Sequence, residues 1–160
     1  MQEHGLKISE LVTLFNLEVL NRGSDYDTAL LTITDVNRPG LQFHSFYDYF
    51  DPRRLQVLGK AEITYLKGLT TEQRRKCFDD LFLYDIPALV ISRGLDCFPE
   101  CLESARVHER TLLRTEETTV EFTSHTIEYL RHPPRRTAGH LRRGRDDYRR
   151  LRHRQERVRH

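Results

Sequence analysis

Apolar residues recur at helical spacing in several stretches of the first 130 residues. In "ISELVTLF" they fall on one face of a helix, for which Ser9 is a candidate amino-terminal cap. Similar spacing predicts helices in "AEITYLKGL", "EQRRKCFDDLF", "FPECLESARVHE" and "TVEFTSHTIEYL". Either Thr70 or Thr71 is placed to cap the second of these four helices.

Short apolar runs of strand length separate the predicted helices, namely "LEVLN", "ALLTITDV", "LQVLG", "IPALVIS" and "TLLRT". The uninterrupted run "IPALVIS" is typical of a strand that is buried on both faces. "NRPG" ends the run "ALLTITDV", because Arg38 precedes a proline and Pro39-Gly40 favours a turn. The alternation of strands and helices predicts an α/β domain with three layers, α/β/α, around a mostly parallel sheet.

Charge divides the chain into two parts. Residues 131–160 contain 12 arginines, no lysine and three acidic residues, a net charge of +9, whereas residues 1–130 carry −7. The apolar residues of the basic part are too few to offset the entropy of ordering it. We therefore expect a folded domain over 1–130 and a disordered Arg/His-rich tail over 131–160.

The composition argues against a membrane or secreted protein. No run of about 18 apolar residues is present, and "MQEHGLKISELV" lacks the basic and apolar regions of a signal peptide. The three cysteines are an odd number without the pattern of a disulfide scaffold. Reduced thiols fit a cytoplasmic location best.

Residue patterns for catalysis or metal binding are weak. Cys97, Cys101 and His108 have a spacing that a metal site could use, but a second pair of ligands is missing, which favours ordinary core or surface cysteines. The aromatic stretch "FHSFYDYF" is more typical of packing than of nucleotide stacking. Arg93, in the loop "SRGL", is placed either to hold an anion or to form an ion pair. No phosphate-binding glycine motif is present.

Five motifs occur in register over about 130 residues. They are "KISELVTLFNLEVLN", "TDVNRPGLQF", "YDYFDPRRLQVLGKAE", "LFLYDIPALVISRGL" and "LLRTEETTVEF", and "PPRRT" follows them. Together they resemble the N-terminal domain of bacterial HPr kinase/phosphorylase. The turn with Asp35, Arg38 and Gly40 is similar to the S/T-D-[IV]-x-R-P-G-L turn of that family.

The resemblance implies a fold similar to that of the N-terminal domain of the MurE/MurF ligases, within a larger parent enzyme. The family phosphorylates a serine of HPr, the carrier of the sugar phosphotransferase system, and removes the phosphate by phosphorolysis, which controls carbon catabolite repression. ATP or pyrophosphate and Mg²⁺ serve a second, P-loop domain that forms a homohexamer. By this resemblance the chain is a non-catalytic domain with no catalytic, cofactor or metal residues of its own, and we expect no kinase activity from it.

The resemblance to this family offers an explanation for the composition of the tail. After "PPRRT" the family continues to a phosphate loop of the form G-D-S-G-I-G-K-S-E, and "RRLRHRQER" is compatible with that loop when its codons are shifted by one nucleotide. His153 then allows only Ile or Thr, Gln155 only Lys or Arg, and Glu156 only Ser or Asn. We therefore favour a frameshift near residues 137–139.

Two other interpretations of the tail remain open. An authentic arginine-rich arm would bind nucleic acid, although evolved arms usually mix lysine with arginine and the acidic domain would oppose binding. A solvated, autoinhibitory or partner-docking segment is the third possibility.

For the domain itself we predict an interaction surface, because ligands of α/β sheets bind to the loops at one end of the sheet. This surface comprises Asp35, Arg38, Gly40, Arg93 and Gly94.

Overall fold

A mixed five-stranded sheet forms the centre of the computed structural model, which describes residues 5–132 and Arg149. The strand order is β2-β7-β6-β5-β4. Neighbouring strands from β4 to β7 are parallel, and β2 joins the edge antiparallel to β7. The strands of this sheet are β2 (Glu18–Asn21), β4 (Val36–Asn37), β5 (Leu55–Leu58), β6 (Leu89–Ile91) and β7 (Leu112–Arg114).

Six helices of the described residues surround the sheet. The predicted α/β class, with a mostly parallel sheet, is confirmed. The helices are α1 (Ile8–Phe15), α2 (Gly40–Phe43), α3 (Lys60–Lys67), α4 (Thr71–Phe82), α5 (Pro99–His108) and α6 (Thr119–Arg131).

Two hydrophobic clusters cover the two faces of the sheet. Along β6, Val90 packs into the cluster that contains α1 and Phe122 of α6, whereas Leu89 and Ile91 pack into the cluster that contains α2 to α5. The same alternation places Val57 and Leu58 of β5 in different clusters. Every residue of β6 is buried, as the uninterrupted apolar run predicted.

The prediction of one strand over "ALLTITDV" is wrong, because the structure contains two short strands there. β3 (Leu30–Leu31) pairs antiparallel with β1 (Leu6–Lys7) in a separate two-stranded sheet. β4 starts at Val36 and belongs to the central sheet. The segment between β3 and β4 thus crosses from one sheet to the other, a change of partner that apolar content alone does not reveal.

Threonine side chains cap the start of α4 and of α6. Thr70, and not Thr71, caps α4: its hydroxyl accepts the Gln73 N–H at 3.2 Å, and the Gln73 side chain accepts the Thr70 N–H. The prediction that Ser9 caps α1 is wrong. The helix begins at Ile8, directly after β1, so Ser9 lies inside it. Asn16 ends that helix in the left-handed conformation.

The aromatic stretch "FHSFYDYF" contributes to packing. Phe43 is buried and lies edge-on to Phe78 of α4, with ring centroids 5.7 Å apart. Tyr47 stacks on Tyr84 at 4.9 Å, and Phe50 lies edge-on to Tyr84. The packing interpretation is therefore confirmed for Phe43, Tyr47 and Phe50, whereas Phe46 and Tyr49 are exposed.

Most of the tail predicted over 131–160 lies outside the described residues. Arg131 closes α6, and Arg149 is the one residue beyond 132 that the structure describes. Among the described residues, no helix has the length and apolar character needed to cross a membrane.

Candidate functional site

Four loops meet at one edge of the central sheet. Because β4, β5, β6 and β7 are parallel, the loops that follow them emerge at their shared carboxyl ends. With the strand and helix residues that border them, these loops comprise residues 37–40, 59–60, 92–94 and 115–119, which we refer to together as the carboxyl-edge surface. In open α/β sheets this edge is where ligands and partners bind.

Arg38 connects two of these loops through Glu62, which lies in the first turn of α3. The Arg38 guanidinium donates two hydrogen bonds of 2.8 Å to the two carboxylate oxygens. Glu62 is buried, and it also accepts the Gly59 backbone N–H at 3.0 Å. Two hydrogen bonds from the Arg38 guanidinium and one from a backbone N–H thus satisfy the carboxylate. The start of a helix is also a favourable position for negative charge.

Gly59 permits the loops to approach each other closely. A Cβ atom at this position would lie 2.6 Å from Arg38 Nη2 and 2.6 Å from Thr119 Oγ1. Thr119 begins α6, and its hydroxyl lies 2.7 Å from the hydroxyl of the buried residue Ser92. The Ser92 hydroxyl in turn donates to the Leu58 carbonyl at 2.8 Å. A chain of polar contacts therefore joins β5, β6 and α6 beneath the surface.

Arg93 and Gly94 form a turn with two consecutive left-handed residues, at φ 59° and 61°. The Arg93 N–H donates to the Glu117 carbonyl at 2.7 Å, and the Gly94 N–H donates to the Thr115 carbonyl at 2.8 Å. An arginine at positive φ is uncommon and is kept only where the surroundings enforce it. The loop after β7 thus holds the Arg93 backbone rigidly, with the residue exposed.

The carboxyl-edge surface has an uneven charge distribution. Arg93 and Lys60 are exposed, and the Arg93 side chain forms no ion pair with any described residue. Glu116 is exposed beside Gly94, whereas Glu117 is buried, with His125 Nδ1 3.1 Å from its carboxylate. Arg93 and Lys60 are therefore cations on this surface that are available to an anionic partner.

The structure brings together most of the predicted surface. Arg38, Arg93 and Gly94 lie at the carboxyl ends of the strands, and Gly40 begins α2 beside them. Asp35 does not join them: it precedes β4, at the opposite end of the strand, and its nearest cation is Arg54 at 3.9 Å.

Sequence reasoning assigned no role to Gly59, Ser92 or Thr119, which connect the loops. The only indication in the sequence was that Gly59 and Ser92 fall inside the motifs "LQVLGKAE" and "VISRGL". A buried amide network was missed as well. Asn37 donates to Gln56 at 2.7 Å and to Gln42 at 3.0 Å, which fixes the end of β4.

Neither a phosphate loop nor a cluster of metal-ligating side chains occurs among the described residues. The carboxyl-edge surface lacks the glycine-rich loop with Lys and Ser/Thr that cradles phosphates and Mg²⁺. No three histidine, cysteine or acidic side chains cluster as metal ligands in the part of the chain that the structure describes. The residues present therefore do not fit Mg²⁺ and ATP, and we derive no chemical step through them.

His108, which the sequence placed near Cys97 and Cys101, instead contacts Asp79 of α4 at 3.3 Å. Partial burial alone would raise the pKa of Asp79. Hydrogen bonds from Ser104, Arg75 and His108 outweigh that effect, and the pKa of the carboxyl lies below its ordinary value. This cluster joins α4 to α5 and is structural.

The fold also occurs among solved structures. The CBS and DRTGG domains of the regulatory region of Clostridium perfringens pyrophosphatase, crystallised with the activator diadenosine tetraphosphate, superpose with a TM-score of 0.52. The identity is 13%, and the match covers 76% of this chain and 45% of that one. At this identity the likeness concerns the fold alone.

Closer sequence relatives are HPr kinase/phosphorylases. The proteins from Clostridium perfringens (strain SM101) and Clostridium beijerinckii are each 40% identical over 126 residues, and that from Alkaliphilus metalliredigens is 39% identical over 125. These matches cover 78–79% of this chain and 40–41% of the relatives, so the chain spans about two fifths of their length. The family model described as the HPr Serine kinase N terminus matches residues 6–130. The chain therefore belongs to the HPr kinase N-terminal family.

Proposed function

We propose that residues 1–130 are a non-catalytic domain of a bifunctional HPr kinase/phosphorylase. The observation that carries this proposal is the family match over 6–130, in a chain that corresponds to two fifths of its relatives. Phosphorylation of a serine of HPr, with ATP or pyrophosphate and Mg²⁺, and its phosphorolysis belong in this proposal to the family's second domain. The biological context is control of the phosphotransferase system and of carbon catabolite repression.

A kinase assay tests the non-catalytic role. Purified chain with HPr, ATP and Mg²⁺ should form no phosphoserine, because the carboxyl-edge surface has no phosphate loop. Clear turnover that depends on the concentration of this chain would contradict the proposal.

The role that we propose for the domain is assembly or regulation through the carboxyl-edge surface. Support comes from the exposed Arg93 side chain on a backbone that two hydrogen bonds hold at positive φ. Arg38 supports the surface indirectly, since both of its carboxylate contacts go to Glu62. A partner with a carboxylate or phosphate at the contact would pair with Arg93.

A chimaera tests this role. Residues 1–130 replace the matching segment of the Clostridium perfringens enzyme, with either Arg93→Ala or Arg106→Ala. Arg106 is also an exposed arginine and lies near the far end of α5, so its loss is the matched control for charge. Arg93→Ala should change the oligomer distribution or the ratio of kinase to phosphorylase activity, and Arg106→Ala should not. Equal behaviour of the two variants would contradict a role for this surface.

For the tail we propose an out-of-frame origin in preference to a role in binding nucleic acid. Sequencing across codons 130–160 should show a shifted frame that stays open. In a filter-binding assay, the full chain should bind DNA at most weakly and without sequence preference. A nucleic-acid-binding arm would instead give tight binding that falls steeply with salt and disappears when residues 138–160 are removed.

The remaining expectations are part of the same proposal. The fold is related to the N-terminal domain of the MurE/MurF ligases, the parent enzyme is a homohexamer assembled through the second domain, and the protein is cytoplasmic. Support for these expectations is the family membership. Superposition on a MurE structure and light scattering of the chimaera test the first two, and cell fractionation tests the third.

A further inference from the structure

Five residues other than glycine have a positive φ in the described part of the chain. Asn16 and Glu109 cap the carboxyl ends of α1 and α5, and Ser45 directly follows the cap of α2, where left-handed backbone is common. The other two, Tyr49 and Arg93, lie in turns, and no helix end accounts for their conformation. Because backbone strain of this kind is often kept for function, these two positions point to a role of their side chains.

Tyr49 is the third residue of a turn over residues 47–50, which the Phe50 N–H closes by donating to the Tyr47 carbonyl at 3.0 Å. Glycine or asparagine usually fills such a position, because other side chains are strained at positive φ. The Tyr49 side chain is fully exposed, so no packing offsets this strain. The rings of Tyr47 and Phe50 pack against Tyr84, with centroids 4.9 and 5.0 Å away, and hold the turn in place. The turn therefore presents the Tyr49 ring to solvent on a fixed backbone.

The side chains of this Tyr49 turn are complementary to an arginine. Asp48, beside Tyr49, is exposed and forms no ion pair with the described residues. A guanidinium can stack on a tyrosine ring and pair with a neighbouring carboxylate, which a lysine ammonium does less well. Tyrosine and arginine are also among the residues that most often anchor protein interfaces. An arginine without an ion pair in its own chain would therefore fit the turn.

Arg93 is such an arginine, and it lies at the opposite end of the sheet. The Tyr49 turn precedes β5, and Tyr84 precedes β6, so both lie at the amino ends of these parallel strands. Arg93 follows β6 at its carboxyl end, whereas Arg38 on the same surface is already bound to Glu62. Tyr49 and Arg93 therefore do not meet within one copy of the domain, and a contact between them requires two copies.

We propose that the Tyr49 turn of one copy binds Arg93 of a second copy, head to tail. This inference rests on the function proposed for the carboxyl-edge surface and names its partner: the Tyr49 ring and the Asp48 carboxylate of a neighbouring copy. The contact uses different patches on the two copies, so its repetition gives a ring or an open chain and not a two-fold dimer.

Sedimentation velocity of the full chain at increasing concentration tests the proposal. The wild-type chain should associate, and Arg93→Ala should raise the dissociation constant at least about fivefold, as expected for the loss of an interface anchor. Asp48→Asn should weaken association less, and its difference from wild type should shrink at high salt. Lys7→Ala is the control and should change nothing, because Lys7 is an exposed cation in β1, outside the central sheet. The Arg/His-rich tail is the same in every variant and cannot account for a difference between them.

Tyr49→Gly separates binding from folding. Glycine relieves the strain at positive φ, so the thermal midpoint of unfolding should rise at low concentration, where the chains are monomers. Loss of the ring should nevertheless raise the dissociation constant at least about fivefold. A side chain that served only the fold would not weaken association when it is removed, so these opposite effects identify a residue that is kept for an interface.

A mixture of two variants tests the head-to-tail order. Arg93→Ala retains the Tyr49 turn, and Tyr49→Gly retains Arg93. At a concentration where neither variant associates alone, the mixture should therefore form heterodimers and no larger species. The proposal is overturned if the wild-type chain stays monomeric up to about 1 mM, if Tyr49→Gly associates as tightly as wild type, or if the mixture stays monomeric.

The chimaera distinguishes failure of this inference from failure of the proposed function. An effect of Arg93→Ala without an effect of Tyr49→Gly would exclude a second copy as the partner and would leave the role of the carboxyl-edge surface standing. No effect of either variant would contradict both.

Discussion

Arg38 and Glu62 are joined by two parallel hydrogen bonds of 2.8 Å, although 24 residues separate them in the chain. The pair connects the end of β4 to the start of α3, and Glu62 is only 7% exposed. A carboxylate buried to this degree depends on its partners, because loss of one of them leaves a poorly solvated charge.

We expect Arg38→Ala to lower the free energy of unfolding by about 2 kcal/mol, because Glu62 then loses a charged partner. Urea denaturation measures the change. Adding Glu62→Gln to the Arg38→Ala variant should recover part of the lost stability, since the amide leaves no unpaired buried charge. Arg53→Ala is the control: its pair with Asp51 is more exposed, and its loss should cost less than about 0.5 kcal/mol. Equal effects of the two arginine variants would contradict the structural role of Arg38.

Two glycines of the same region should respond oppositely to alanine. In Gly59→Ala the new methyl group meets Arg38 and Thr119 at 2.6 Å, and we expect a loss of about 1–3 kcal/mol. In Gly40→Ala the new methyl group meets no atom within 4 Å, and a stabilisation of about 0.5 kcal/mol should follow from the less flexible unfolded chain. Thermal denaturation of both variants measures these changes. If Gly59→Ala leaves the stability unchanged, Arg38 and Thr119 do not lie as close to Gly59 as the structure shows.

Two adjacent threonines distinguish a cap from a helix position. Thr70→Ala removes the hydroxyl that accepts the Gln73 N–H and should cost about 1 kcal/mol. Thr71→Ala should be neutral or slightly stabilising, because Thr71 lies within α4 and alanine has the higher helix propensity. Chemical denaturation of both variants measures the difference. A larger loss of stability in Thr71→Ala than in Thr70→Ala would show that the helix begins one residue later.

Asp79 should make stability depend on pH in the acid range. Its folded-state pKa lies below the ordinary aspartate value of 3.8, so the unfolded chain takes up a proton first as the pH falls. The stabilisation is fully present above that value and is lost as the pH falls through the folded-state pKa. Asp79→Asn should therefore cost about 1 kcal/mol at pH 7 and almost nothing near pH 2.

Asp48→Asn is the control for this pH experiment. Asp48 is exposed, and a substitution there should change the unfolding free energy by less than about 0.5 kcal/mol at either pH. If the difference in unfolding free energy between wild type and Asp79→Asn does not change with pH, the assigned role of the Asp79 carboxylate is contradicted.

The sequence by itself determined the order of most elements and the class of the fold. The helix α4 and the strand β6 were predictable because their patterns are local: an apolar stripe behind a threonine cap, and a short run with no polar residue. The motifs from "KISELV" to "VEF" determined the family, since their order along the chain does not depend on how it folds.

The tertiary structure alone decided which residues meet. The sequence did not show that "ALLTITDV" divides between two sheets, that β2 pairs antiparallel with β7, or that Asp35 lies at the end of β4 opposite to Arg38. The contacts of Thr119 with Ser92 and Gly59 were equally invisible. Such contacts depend on strand order and register, which arise from packing between distant segments and leave no periodic pattern in either segment alone.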